Sequence, residues 1–259
     1  EIIEKVSGKT WDEFVHERIF SPLKMNRSST SIKELANYEN IASPHIEHDG
    51  KVKAIPYTGY DNLGPAASIT TTVNDMTNYM RMFLDSGKFN DKELIKTANW
   101  LELQKPQETV SQPSWFPPEK NDVKPTYRCY GYGWFISDYA GHKTVYHSGG
   151  IDGMRSLLFF VPAEKLGIIV LTNQEQRICK DLVYKILDDY FDLKEFDWAA
   201  QSLATKNYWE NYDREQKQKI LQAREENTKP QLAIEKYAGT YFDRMYGDIY
   251  ITYNNGKLT

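Results

Sequence analysis

From Tyr132 onward the apolar pattern of this chain changes to the period of strands, and that change restricts the fold more than any other feature. Trp134-Phe135-Ile136, Thr144-Val145-Tyr146, Ser156 to Val161 and Leu166 to Thr172 are β-branched or aromatic runs of strand length. The links between them are short and carry Gly141, Gly149-Gly150, Gly153 and the stretch Pro162 to Lys165. A parallel crossover needs about a dozen residues or more, so these links predict antiparallel hairpins.

Such a meander must bury a face against another layer, and helices to do so are legible before and after it. Thr10 followed by Glu13 predicts a capping box, with Trp11, Phe14, Val15 and Ile19 at helical spacing and Pro22 as the stop. Glu1 to Val6 reads as the tail of an earlier helix ended by Gly8, one whose beginning lies outside the sequence. Thr72 predicts a second cap, with Met76, Tyr79, Met80, Phe83 and Leu84 as an apolar face and Gly87 as the stop. A Met and aromatic stripe at that spacing is core packing. Asp181 to Tyr190 predicts an amphipathic helix that packs back on the sheet. Helices, then a meander, then a helix give an α+β fold.

The remaining segments are less regular. Residues 40–70 predict loops with short strands, residues 92–104 a short helix, and the proline-rich stretch Pro106 to Pro125 a surface loop rimming a cleft. Gln201 to Asn227 is polar and charge-laced and reads as a helical connector. Tyr237 to Leu258 alternates again, and the sequence stops at Thr259 within an expected hairpin. Two or three strands do not stand alone, so a second domain is expected to be cut short there.

Composition excludes several classes of function. Hydrophobic residues at 40% and aromatics at 14% supply a core and rule out wholesale disorder. Lys and Arg total 32 against 36 for Asp and Glu, and with no basic stripe this argues against nucleic acid as a partner. No apolar run has membrane-spanning length. Cys129 and Cys179 form no C-x-x-C and read as two unpaired thiols. His16, His45, His48 and His142 are scattered. His45-Ile46-Glu47-His48 is a metal pair only as a string, because Pro44 and Asp49-Gly50 predict a loop or hairpin around it. No metal and no cofactor is implied.

The candidate chemistry lies in His147-Ser148-Gly149-Gly150. Small residues on a strand edge let a substrate backbone lie alongside, and a free N–H there stabilises an oxyanion. His147 adds a ring whose proton state changes near neutral pH. On those grounds alone, an ordinary strand end has the same look.

The order of several short matches adds to this. I-I-E-K-V-S-G from Ile2, R-I-F-S-P-L-K-M at Arg18 to Met25, G-P-A-A-S-I-T-T-T-V-N-D-M at Gly64 to Met76, Y-G-Y-G-W at Tyr130 to Trp134 and H-S-G-G at His147 follow one another. Together they resemble the class C β-lactamase-like members of the serine β-lactamase and penicillin-binding-protein family, over about residues 1–190. The resemblance implies an antiparallel sheet flanked by helices and a hydrolase that acylates on a serine without metal. It implies three motifs, S-x-x-K, Y-x-N or S-x-N, and K-T-G or H-x-G. Only the third maps onto this chain, with His147 as the catalytic position and Ser148, Gly149 and Gly150 binding substrate and completing the oxyanion hole. The first two are expected N-terminal to Glu1, so the chain alone is expected to be inactive.

Three strings imitate the missing motifs. Ser21-Pro22-Leu23-Lys24 fits S-x-x-K, but no apolar helix follows Pro22 to bury a nucleophile. Tyr38-Glu39-Asn40 and Tyr60-Asp61-Asn62 fit Y-x-N, but both follow the helix that the motif should precede; the second stands near Gly64-Pro65, where it could line the cleft. Histidine where the family often has lysine implies an esterase, amidase or D-amino-acid peptidase more than an efficient β-lactamase, because an imidazole with a reference pKa of about 6.5 is largely neutral at pH 7.

Tyr237 to Leu258 resembles the start of the lipocalin-like β domain often appended to such proteins, so the resemblance implies a C-terminal portion of the hydrolase domain over residues 1–192, a connector over 193–230 and the first strands of a β-barrel-like accessory domain over 231–259. The expected partner is a small-molecule or peptide substrate. The resemblance implies a periplasmic or cell-envelope setting, leaves the oligomeric state open, and leaves a non-catalytic binding or regulatory relative as the alternative.

Overall fold

The computed structural model describes residues 1–259 apart from 49, 112–116, 118, 119, 121, 122, 177 and 227, and it divides into two compact units, residues 1–206 and 207–259. Local capping chemistry starts the first unit as the sequence predicts. Helix α1 (Ile2–Ser7) ends on Gly8 at φ 70°. Helix α2 (Trp11–Val15) opens with both halves of a capping box: Glu13 N donates to Thr10 Oγ1 at 3.2 Å, and Thr10 N donates to Glu13 Oε2 at 2.9 Å. It runs into a π-helical turn, His16–Phe20, before Pro22.

Strands β1 (His45–His48) and β2 (Lys51–Ala54) form the hairpin expected around Pro44 and Gly50; Asp49 of that turn lies outside the described residues. A single helical turn, α3 (Gly64–Ala67), precedes α4 (Val73–Leu84), whose first turn is capped by the Thr72 side chain accepting from Asp75 N at 3.2 Å. Strands β3 (Lys88–Phe89) and β4 (Lys92–Glu93) pair as a minimal hairpin where helix was expected from residue 92, and α5 (Thr97–Leu103) starts only afterwards.

The meander is one antiparallel sheet. Strands β5 (Glu108–Thr109), β6 (Arg128–Tyr130), β7 (Phe135–Tyr139), β8 (His142–Ile151), β9 (Met154–Val161) and β10 (Leu166–Thr172) pair in the order β10-β9-β8-β7-β6-β5. Two expectations are corrected. Gly149 and Gly150 are not turn residues but pair with Ser156 and Arg155 inside the β8–β9 ladder. The proline-rich stretch is not simply a surface loop: Glu108–Thr109 adds the edge strand, and Lys120 and Val123 are buried. The rim expected at 112–116, 118, 119, 121 and 122 lies outside the described residues.

Both faces of the sheet are covered, which is why its strands read as continuous apolar runs and not as strict alternation. Leu157, Phe159 and Val161 of β9 face α6 (Ile178–Tyr190) and join Val183, Tyr184 and Leu187. The intervening Leu158 and Phe160 face α4 and join Phe83, Trp134 and Val145. Phe83 stacks on Phe160 with ring centroids 4.3 Å apart. The other side of α4 supplies Met82 to a second cluster with Val15, Phe20 and Leu23. A slip of one residue in β9 would exchange these two sets, so the register is firmly specified.

Helix α7 (Trp198–Gln222) begins on the first unit, where Trp198 is buried, and continues into the second. Strands β11 (Gly239–Asp243) and β12 (Gly247–Ile251) pair, as do β13 (Tyr253–Asn254) and β14 (Lys257–Leu258). These are two separate two-stranded sheets, and no barrel forms among the described residues.

Asp188 ties the α6 layer together. It accepts from Tyr139 Oη at 2.5 Å and Trp198 Nε1 at 2.8 Å, and it pairs with Lys120 Nζ at 2.9 Å, with both charged side chains almost fully buried. Lys120 also donates to the Lys194 carbonyl at 2.9 Å. Breaking one partner of a buried, hydrogen-bonded pair strands the other charge. Asp188→Ala should therefore cost about 3–5 kcal/mol in urea unfolding followed by tryptophan fluorescence.

Asp181, about two turns earlier on α6, is the opposite case. Burial pushes its carboxyl up, and its Oδ2 atom has no hydrogen-bond partner. An acid raised in the folded state favours unfolding once the pH exceeds its unfolded value. Asp181→Asn should raise the urea midpoint at pH 7, and the advantage should shrink as the pH falls through the carboxylate range.

Candidate active site

The ladder between β7 and β8 stops at the pair Phe135 and Tyr146, whereas β8 remains paired with β9 as far as Ile151. Residues His147 to Gly150 thus have one bonded edge and one that no strand among the described residues occupies. All four are exposed, within a sheet whose neighbouring strands are largely buried. Backbone N–H and C=O groups on the open edge face solvent, the state in which a strand accepts an added chain segment.

Turn chemistry sets where β7 begins. Gly131 N donates to the Trp134 carbonyl at 2.9 Å and Gly133 sits at φ 83°, which closes the Y-G-Y-G-W turn before β7. Trp134 is buried against Phe83 and Phe160 and holds that turn to the core.

The structure brings His147, Ser148, Gly149 and Gly150 together on one strand, with His147 in an aromatic setting. Its ring lies nearly parallel to Phe135, with centroids 5.7 Å apart, and its Nε2 is 3.2 Å from Tyr130 Oη. The Arg128 guanidinium covers Phe135 at 4.2 Å. Tyr130 has no role in the motif reading; the signal for it is its place at the head of Y-G-Y-G-W. The two glycines are small for a different reason than expected. A Cβ at Gly149 would meet the Ser156 hydroxyl, and one at Gly150 would overlap the Arg155 guanidinium, which is ion-paired with Glu175. These side chains of β9 therefore fill the room the glycines leave.

The far end of the β8–β9 hairpin is clamped. His45 N donates to the Gly153 carbonyl at 3.1 Å, and Glu175 N donates to the His45 carbonyl at 3.1 Å. His45 Nδ1 lies 2.8 Å from the Ser43 carbonyl and 3.1 Å from that of Asn173, whose Nδ2 also donates to Ser43 O at 2.9 Å. His45 is thus an architectural residue, and it lies on the opposite strand face from His48. Among the described residues no group of three or more His, Cys, Asp or Glu could hold a metal ion, and no helix is long and apolar enough to cross a membrane.

The imitating strings have structural work. Tyr60 meets Asp152 at the hairpin tip, and desolvation followed by the Asp152 hydrogen bond pushes its phenol up. Asp152 also accepts from Thr58 Oγ1 at 3.0 Å, so this string does lie at the end of the H-S-G-G strand. Tyr38 packs under the Arg27 guanidinium, and the Asn40 carbonyl accepts from Arg27 Nη2 at 3.1 Å. Ser21 Oγ faces His16 Nδ1 at 3.4 Å at the end of the π-helical turn. His142 stacks on Phe191 and pairs with Glu164 at 3.2 Å. Burial pushes the Cys179 thiol up, which makes it a poor nucleophile.

Comparison with known proteins agrees with this architecture. The family model described as Beta-lactamase matches residues 1–188. Penicillin-binding protein 4 of Amycolatopsis lactamdurans is 27% identical over 176 residues, covering 66% of this chain and 44% of that protein. An unguisins hydrolase of Aspergillus campestris is 22% identical over 275 residues, covering 99% of this chain and 48% of that protein. Among solved structures, the octameric penicillin-binding protein homologue from Pyrococcus abyssi superposes with a TM-score of 0.60 at 22% identity, over 74% of this chain and 40% of that one. A D-stereospecific amidohydrolase from Streptomyces sp. gives 0.50 at 20% identity, over 66% and 46%. The chain spans less than half the length of these relatives.

The clamp generates a test. Gly153 sits at φ 71°, and a Cβ there would lie 2.6 Å from the His45 backbone nitrogen. Gly153→Ala should cost about 1–3 kcal/mol in chemical unfolding. It should also speed amide exchange at His45 and Glu175, whereas alanine at the open turn glycine Gly141 should leave those two amides unchanged.

Proposed function

The chain belongs to the Beta-lactamase family, and from that premise we propose that the full-length protein is a serine hydrolase. It cleaves an ester, an amide or a D-amino-acid peptide through an acyl-enzyme. The observation that carries this reading is the open edge of β8 at His147 to Gly150, a surface suited to a peptide-like acyl group. Two relatives bear the word hydrolase or amidohydrolase in their names, which supports hydrolysis over binding alone.

In this reading a serine outside these 259 residues attacks the substrate carbonyl and loses its proton to a neighbouring base. An N–H on the β8 edge receives the developing oxyanion, Ser148, Gly149 and Gly150 line the acyl group, and His147 donates to the substrate. The leaving group departs with the proton, and water releases the acyl chain. A histidine at that position favours neutral esters and amides over substrates that need a permanent cation. The same family reasoning puts the protein in the periplasm or cell envelope. It makes residues 1–192 the C-terminal portion of the catalytic domain, 193–230 a connector and 231–259 the first strands of an accessory β domain.

The test is covalent labelling of the full-length protein with a fluorophosphonate, followed by mapping of the modified residue. The expected result is one labelled serine three residues before a lysine, unchanged in Ser21→Ala and absent from a chain of residues 1–259 alone. A folded full-length protein that takes no label, or one that loses label in Ser21→Ala, contradicts it.

A further inference from the structure

We infer that Tyr130 is a positioning residue for His147: its hydroxyl donates to Nε2 and fixes the proton of the neutral imidazole on Nδ1. The two groups come from different strands. Tyr130 ends β6, pairs with Phe135 of β7, and packs edge-on against that ring at 4.8 Å. His147 lies on β8 just beyond the last β7 pair and rests its ring along the same Phe135. Phe135 therefore serves as a common wall, and the 3.2 Å separation of Tyr130 Oη from His147 Nε2 spans its edge.

The backbone leaves Tyr130 little freedom. Gly131 follows it at a close approach, where a Cβ would fall 2.6 Å from the Lys105 carbonyl oxygen, and its amide is bonded to Trp134 O. A phenol is a better hydrogen-bond donor than a neutral imidazole N–H, so O–H donating to nitrogen is the favoured sense. In that arrangement Nδ1–H remains as the donor the ring offers to a substrate. The positioning claim needs only these contacts; its effect on turnover rests on the serine-hydrolase reading. It also joins the Y-G-Y-G-W and H-S-G-G motifs in one device.

The experiment is a long-range proton–nitrogen NMR correlation of the His147 ring in the full-length protein, recorded at alkaline pH where imidazoles are neutral. Wild type should show Nε2 as the unprotonated nitrogen. Tyr130→Phe, which keeps the ring packing, should shift the population toward Nε2–H. Tyr132→Phe, at an exposed position of the same motif, should leave the wild-type pattern. A protonated Nε2 in wild type, or an identical pattern in Tyr130→Phe, overturns the inference. In the full-length protein Tyr130→Phe should lower kcat/KM roughly three- to tenfold. An unchanged kcat/KM alongside an altered tautomer overturns the role in turnover. If the expected tautomers appear but the full-length wild type hydrolyses nothing, the positioning stands and the hydrolase reading fails.

Discussion

Pairing between β7 and β8 ends at Phe135 and Tyr146, while β8 continues along β9 to Ile151. Most of what distinguishes the site follows from this mismatch in length. It leaves His147 to Gly150 with an open edge. The cause lies in the turn before β7, where Gly131 and Gly133 close the chain and buried Trp134 fastens it. An open edge invites unwanted strand pairing. Here it is only a few residues long and ends at the clamped turn of the β8–β9 hairpin, which limits that hazard.

Holding an exposed strand segment in place requires rigid surroundings. The sheet supplies them because helices cover both faces, α4 through Phe83 against Phe160 and α6 through Val183 and Leu187 against Leu157 and Phe159. Asp188 then connects α6 to β7, to the start of α7 and to Lys120. Lys120 is held there by its ion pair with Asp188 together with its hydrogen bond to the Lys194 carbonyl. At the other end, the segment Ser43 to His45 closes over Gly153 and Asn173, so both ends of the exposed strand are held.

Features whose cause is local were legible in the sequence. The capping box at Thr10 and Glu13 and the cap at Thr72 involve residues a few positions apart, and the meander announced itself through β-branched runs and short links. Features whose cause is distant were not. The two-residue strands β3, β4 and β5 exist only through their partners. Gly149-Gly150 resembles a turn until Ser156 and Arg155 are seen to fill the space above it. The H-S-G-G residues are legible as a motif, whereas the place of Tyr130 beside His147 depends on β6 and β8 meeting at Phe135. Tyr60-Asp61-Asn62 reaches the hairpin tip through a contact between Tyr60 and Asp152 that no spacing rule encodes.

We propose that the open edge of β8 is where substrate is held. Hydrogen exchange of the full-length protein, with and without a peptide boronate that mimics the tetrahedral intermediate, tests it most directly. Every other amide from His147 to Ile151 should exchange quickly in the free protein and become protected when the boronate binds, while β9 changes little. Tight boronate binding that leaves those amides as fast as before, with protection confined to other elements, would contradict it.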